Sequence, residues 1–183
     1  MTFLDRWLQQ QRIKKAVPFI PENSVVLDIG CHNGELLKFI QEKIQLGFGI
    51  DPLLAQNSNT NKIKLIKGNF PADWKEPQKM NCITALAVIE HLPEKILKIF
   101  ANKCFDSLQK NGFLILTIPS KKTDTLLAIL KKLRLIKGMS LEEHHGFDPA
   151  NTRPIFESAG FVLIQHTPFQ SGFNNLFVFQ KTE

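Results

Sequence analysis

The sequence predicts an α/β fold in which helices cover both faces of a mostly parallel sheet. Three observations predict it. Short apolar runs rich in β-branched residues recur along the 183-residue chain, as strands buried on both faces require. Stretches with one apolar helical face alternate with them. The first two runs each end in an acid, Asp28 and Asp51, and a turn with two glycines follows the first. The length suits one domain, and 43% apolar residues are enough for a full core.

The rest of the chain is organised around Val25-Val26-Leu27-Asp28-Ile29-Gly30-Cys31-His32-Asn33-Gly34-Glu35-Leu36-Leu37. The apolar run reads as a strand over residues 24–29. Gly30 and Gly34 let the backbone turn sharply and approach a ligand with no Cβ in the way. Glu35 opens a helix whose apolar positions are Leu36, Leu37, Ile40 and Ile44. Strand, turn and helix start together make a ligand crevice at the carboxyl edge of a parallel sheet. A dinucleotide site would need G-x-G-x-x-G, and Gly30-Cys31-His32-Asn33-Gly34 lacks that spacing. Asp28, placed before the turn, suits a cationic ligand group better than a phosphate.

This stretch resembles motif I of the class I S-adenosylmethionine (SAM) methyltransferases, D-x-G-x-G-x-G. His32 stands where the middle glycine usually lies, and histidine tolerates left-handed backbone better than most residues. The next strand ends in Gly49-Ile50-Asp51-Pro52, with Asp51 about 20 residues past the turn, where an acid accepts hydrogen bonds from ribose hydroxyls. The competing role for Asp51 is to cap a helix behind Pro52. Ile63 to Phe70 reads as a third strand and turn. In the family a polar residue here meets the adenine amine and an apolar neighbour covers the ring. Asn69 and Phe70 can fill those roles, although Asn after Gly is also ordinary turn chemistry. Met80 to Pro93 reads as the fourth strand and its loop, and resembles a small-molecule pattern ending E-x-x-E-H-x-P. Glu90 and His91 are kept, and Ala87 replaces the first Glu. The N-P-P-Y of amino-directed methyltransferases is absent from that loop.

The remaining elements follow from their patterns. Residues 2–15 read as an amphipathic helix with Thr2 as cap and Phe3, Leu4, Trp7 and Leu8 on one face. It packs on the sheet rim or forms a flap over the crevice. Pro18 and Pro21 end it. Pro93 opens a long helix with Ile96, Leu97, Phe100, Cys104, Phe105 and Leu108 inward, closed by Asn111-Gly112 as C-cap. Phe113–Pro119 is the fifth strand. Residues 121–148 form an insertion over the substrate end of the sheet. Its centre, Thr125 to Lys137, is a basic amphipathic helix ending at Gly138. It reads as a solvated charged face over an apolar lid, or as a contact with an anionic membrane surface or lipid-linked substrate. Asp148 and Pro149 start a helix that runs to Ser158. Phe161–Ile164 and Asn174–Gln180 are the last two strands. The resemblance implies one Rossmann-like domain over 1–183, with an N-terminal helix in 1–20 and seven strands. It places the seventh strand antiparallel between the fifth and sixth.

The resemblance further implies SAM-dependent methyl transfer to a small molecule, at oxygen. The cofactor contacts would come from Asp28, Gly30, Cys31, His32, Gly34, Asp51, Pro52, Asn69, Phe70 and Ala87. The catalytic candidates are Glu90, His91 and His145, with His144 beside it, since an imidazole titrates near neutrality. Some relatives bind a divalent metal through this histidine and glutamate pattern, but the Glu missing at Ala87 would leave a thin ligand shell. Two other functions stay open: an RNA ribose 2′-O-methyltransferase, and a SAM-binding protein without catalysis. The net charge of +6 draws weakly towards nucleic acid, because the lysines are scattered. Three cysteines without C-x-x-C spacing, no signal-peptide pattern and no apolar run of about 18 residues lead us to expect a cytoplasmic protein.

Overall fold

A computed structural model describes residues 3–120 and 147–182. The apolar runs form the strands β1 (Val25–Ile29), β2 (Leu46–Asp51), β3 (Ser58–Asn59), β4 (Ile63–Lys67), β5 (Met80–Leu86), β6 (Leu108–Pro119), β7 (Phe161–Phe169) and β8 (Asn174–Lys181). They make one sheet of order β3-β4-β2-β1-β5-β6-β8-β7. The pairs β1–β2, β1–β5, β2–β4 and β5–β6 are parallel. The chain runs outwards from β1 to β2 and then returns to β5 on its other side. The carboxyl ends of β1 and β5 therefore flank the point where the strand order reverses, where such sheets bind ligands.

β8 lies antiparallel between β6 and β7, as expected of the last strand. The sheet has eight strands rather than the expected seven. The additional one, β3, is a pair of exposed polar residues held antiparallel to β4, and so carries no apolar period in the sequence.

Alternation along the central strands sends side chains into two cores. Leu27, Ile83, Leu114 and Leu116 face one side, with Phe100 of α3 (Glu94–Ser107) and Phe156 of α4 (Thr152–Ser158). Val26, Cys82, Ile115 and Val178 face the other, with Ile13 and Ala16 of α1 (Phe3–Ala16) and Leu36 and Leu37 of α2 (Glu35–Phe39).

Several expected boundaries are corrected. α1 docks through Ile13 and Ala16, and Trp7, expected on its packed face, is 46% exposed. α2 is only five residues long. Ile40 and Ile44 are buried beyond it, outside any helix. α3 stops at Ser107, because Leu108 is already extended and pairs with Met80. The expected C-cap Asn111-Gly112 instead forms an irregularity within β6, with Asn111 at φ +64°. The end of α3 is served by Lys181, whose Nζ donates to the carbonyls of Phe105 and Leu108 at 2.8 and 3.1 Å. The start expected at Asp148 is a 3₁₀ turn, Pro149–Asn151, in which Asp148 Oδ1 accepts from the Ala150 amide. β7 continues past Ile164 to Phe169. Most of the expected insertion, with its basic helix, His144 and His145, lies outside the described residues. Among the described residues no helix is long and apolar enough to cross a membrane.

Phe156 is wholly buried, with ring centroids 5.3 Å from Phe179, 6.1 Å from Phe161 and 6.4 Å from Phe100. Phe156→Ala is expected to cost about 3–5 kcal/mol, measured as a lower urea midpoint with an unchanged m-value.

Candidate active site

The turn after β1 owes its shape to backbone that only glycine adopts freely. Gly30 has φ +72° and Gly34 φ +78°. A Cβ on Gly30 would lie 2.5 Å from Val88 Cγ2. His32 takes the middle glycine's place at φ +49°, which shows how the substitution is accommodated. Its amide donates to Asp51 Oδ2 at 2.8 Å. Its ring turns to the start of α2, with Nδ1 3.0 Å from Glu35 Oε1 and 3.0 Å from Asn33 Nδ2. That hydrogen bond contributes to holding the Glu35 carboxyl below its ordinary pKa, against a burial effect in the opposite direction.

The two acids have different environments. Asp51, at the end of β2, accepts from His32 N through Oδ2 and from Leu53 N through Oδ1, the latter at 2.8 Å. No helix follows Pro52, which is exposed, so Asp51 is not a helix cap. Leu53, next in the chain, is 83% exposed. Asp28 is buried, and its Oδ1 accepts from Thr84 Oγ1 at 2.7 Å. Burial pushes its pKa up to about 7, against the Thr84 hydrogen bond and with help from the charges of Glu35 and Asp51.

Asp28, Gly30, Cys31, Leu86 and Ala87 line one side of a cavity of about 170 Å³. Asp5, Gln9 and Arg12 of α1 line the other. The N-terminal helix, packed on the sheet through Ile13 and Ala16, also lines this cavity. His32 is not among the lining residues. Ala87 is left-handed at φ +59°, and its amide donates to the Thr117 carbonyl at 2.8 Å. Burial raises the Cys31 thiol far above its ordinary value, which leaves it a poor nucleophile.

The other expected site residues are placed as follows. Glu90 and His91 lie in a 3₁₀ turn, Ile89–His91, just beyond β5. Glu90 is buried and His91 exposed, with His91 Nε2 4.0 Å from Glu90 Oε1. Asn69 is exposed, and its amide donates to Asp73 Oδ2. Phe70 is buried with its ring edge-on to Phe100 at 5.3 Å and tilted against Trp74 at 6.5 Å, so most of its surface is taken by the core. His145 lies outside the described residues. Among the described residues no group of three or more His, Cys, Asp or Glu is arranged for a metal ion. Sequence reasoning missed Thr84 and Arg12, because neither belongs to a motif. A hydroxyl one strand away from a buried acid and a cation within an amphipathic helix leave no signature.

A family model described as a methyltransferase domain matches residues 4–166. The chain belongs to the methyltransferase-domain family. The chain is 30% identical over 105 residues to sphingolipid C9-methyltransferase 1 of Gibberella zeae. That match takes in 51% of this chain and 20% of the fungal protein, so the chain spans only a small part of that relative. The structure of magnesium protoporphyrin IX methyltransferase from Synechocystis PCC 6803 with bound SAH is similar with a TM-score of 0.72 at 20% identity, over all of this chain and 89% of that one. The N-methyltransferase NodS from Bradyrhizobium japonicum has a TM-score of 0.65 at 13% identity, over 98% of this chain and 97% of its own. The resemblance read from the motifs and the expected fold are thereby confirmed.

The buried Asp28 gives the protein a pH signature. In the folded protein Asp28 keeps its proton up to about pH 7, whereas the unfolded chain releases it near 3.8. The native state therefore binds more protons between these values, and the contribution is full below about 3.8 and lost as pH rises through 7. Relative to Asp28→Asn, the ligand-free wild type is expected to lose on the order of 4 kcal/mol of unfolding free energy across this window. Urea titrations of both proteins at several pH values would measure the difference.

Proposed function

We propose that the protein transfers a methyl group from SAM to a small molecule, at an oxygen atom. The observation that carries the cofactor reading is the Asp51 carboxylate. It is 6% exposed and uses one hydrogen bond on each oxygen to fix the neighbouring backbone. A carboxylate has about four acceptor positions, so each oxygen can also accept from a ribose hydroxyl. Asp28, buried at the end of the adjacent strand, can receive the cofactor's ammonium group. The exposed Leu53, beside Asp51, offers apolar surface to the adenine ring in place of the buried Phe70. These residues fit the group.

When bound, the cofactor supplies an electrophilic methyl on a sulfonium. The chain's own residues bind, shield and deprotonate. The Gly30–Gly34 turn admits the ligand against the backbone, and α1 keeps water from the crevice. Glu90, buried beyond β5, takes the proton of the acceptor hydroxyl. The exposed His91 beside it passes that proton to solvent. A carboxylate paired with an imidazole suits a hydroxyl acceptor, which must lose its proton during transfer. Support for a small acceptor comes from the absence of N-P-P-Y after β5. Two of the proteins that the chain resembles are also named for a sphingolipid and for a magnesium porphyrin. Three free, buried cysteines accord with a reducing, cytoplasmic setting.

Calorimetric titration with S-adenosylhomocysteine tests the cofactor. Wild-type protein is expected to bind, and Asp51→Ala to bind about 10- to 100-fold more weakly, as for the loss of charge-assisted hydrogen bonds. Folded wild-type protein that does not bind would refute the reading. Glu90→Gln is expected to keep the affinity for S-adenosylhomocysteine while methyl transfer falls about 10²- to 10⁴-fold, followed by the mass gain of the acceptor.

A further inference from the structure

Four polar groups that the proposed chemistry does not use gather where β6 ends and β8 begins. Thr117 Oγ1, Ser120 Oγ, Gln170 Nε2 and Asn174 Oδ1 are closed off from solvent and have no hydrogen-bond partner among the described residues. Thr117 and Asn174 are 0% and 1% exposed. Alternation puts both on the sheet face of Ile115, Leu176 and Val178, among apolar neighbours. Burying such groups unpaired is costly, so proteins seldom keep several together without a partner for them. The register brings these together. Pro119 pairs with Asn174, Asn174 Nδ2 donates to Gln170 Oε1, and the Ser120 amide donates to the Phe173 carbonyl. Gln170 stands in the β7–β8 turn at φ +52°, a conformation that such turns ordinarily give to Gly or Asn. The cluster adjoins the proposed reacting centre. Thr117 pairs with Leu86, and its carbonyl accepts from the Ala87 amide at 2.8 Å. Leu86 and Ala87 line the crevice, and one strand spacing, on the order of 5 Å, separates them from Thr117.

We infer that Thr117, Gln170 and Asn174 bind the methyl acceptor, and that this acceptor is a neutral, polyhydroxylated ring of the carbohydrate type. This rests on the methyl-transfer reading above. The unpaired set is uncharged and mixed. The hydroxyls of Thr117 and Ser120 donate or accept, Gln170 Nε2 donates, and Asn174 Oδ1 accepts. Turning both amides over together keeps the bond between them and still leaves one donor and one acceptor. Neighbouring sugar hydroxyls, each both donor and acceptor, match such a set. A carboxylate or phosphate offers acceptors and meets no cation in it, and an apolar ring leaves every group unpaired. The cover over this edge is loose. Residues 5–12 of α1 are exposed or half-buried, whereas Ile13 and Ala16 are buried, so the first turns of α1 can yield to an incoming acceptor while the later turns hold.

The test uses the full chain saturated with S-adenosylhomocysteine and follows three probes by saturation-transfer NMR: methyl α-glucopyranoside, phenol and 4-hydroxybenzoate. Wild-type protein is expected to bind the glycoside at least about tenfold more tightly than either aromatic probe. Thr117→Val is expected to weaken the glycoside about 3- to 10-fold, as for the loss of one hydrogen bond, and Thr117→Ser to restore it to within about twofold. The urea midpoint of ligand-free Thr117→Val should stay level or rise, since an apolar group of the same shape removes an unpaired hydroxyl. If Thr117→Val does not fold, Gln170→Met, which removes a donor at a half-buried position, gives the same comparison. A lowered ligand-free midpoint would assign the hydroxyl to the fold or to a buried water and overturn the inference. Unchanged glycoside affinity in Thr117→Val, a preference for either aromatic probe, or no probe bound by protein that holds S-adenosylhomocysteine would overturn it too. Failure of the folded wild type to bind S-adenosylhomocysteine would refute the SAM reading itself, an outcome distinct from the others.

Discussion

The carboxylate of Asp51 joins the two turns on which the crevice depends. In the parallel register Ile29 lies beside Ile50, so Asp51 begins one residue beyond the last pair of β1 and β2. From there it reaches the amide of His32 in one turn and that of Leu53 in the other. Bonds from backbone amides to a charged acceptor are stronger than neutral ones, which offsets much of the cost of burying the acid. The glycine turn is secured by a second bond, from the Gly30 amide to the Ile50 carbonyl at 2.9 Å. The left-handed backbone of His32 follows from this arrangement, because its amide must point at β2 while the chain reverses into α2. A histidine can therefore replace glycine here, since its ring has somewhere to go outside the cavity.

Asp28 has a poorer balance. One hydroxyl, from Thr84, is its hydrogen-bonding side-chain partner, and Glu35 and Asp51 add negative potential nearby. Two carboxyls at the ends of adjacent strands thus differ in character. Asp51 is anchored by two backbone amides, whereas burial raises the pKa of Asp28. A cation arriving at Asp28 gains from both the charge and the dryness of the site, whereas an anion there would meet repulsion. That difference in environment, rather than the presence of acids alone, fits the crevice to a sulfonium ligand with an amino-acid tail better than to a pyrophosphate.

Elements whose identity depends on local pattern were legible in the sequence. The buried run before Gly30, the acid after Gly49 and the apolar strand at Phe113–Pro119 each carry their period or punctuation in adjacent residues. What tertiary contacts decide was not legible. Leu108 fits the inner face of α3 by helical spacing, yet it joins β6 because Met80 offers it a strand partner. β3 exists only through its pairing with β4. Trp7 has the right spacing for a packed face, but α1 docks by its later turns. Phe70 carries the right side chain for an adenine cover and is largely occupied by Phe100 and Trp74. The charge pairing of Arg12 with Glu90 spans residues remote in sequence, so no window along the chain could show it.

The distribution of imperfect contacts divides the molecule. The cores on both faces of the sheet are apolar and closed. By contrast, Thr117 Oγ1, Ser120 Oγ, Gln170 Nε2 and Asn174 Oδ1 are buried without hydrogen-bond partners among the described residues. They gather where β6 ends and β8 begins, since Pro119 pairs with Asn174 and the Ser120 amide donates to the Phe173 carbonyl. Thr152 Oγ1 lies apart, on α4. Each such atom costs roughly 1–3 kcal/mol relative to a satisfied one. By alternation Thr117 and Asn174 share the sheet face of Ile115 and Leu176, which is also the face that α1 covers. Arg12 Nε and the left-handed Ala87 belong to the same side. A sheet selected for stability alone would have filled this edge with apolar side chains, as it filled the rest. That polar atoms without partners and the left-handed residues Ala87, Gln170 and Ser171 gather here marks the edge where β5 and β6 end and β8 begins as a region where binding, rather than packing, determined the residues.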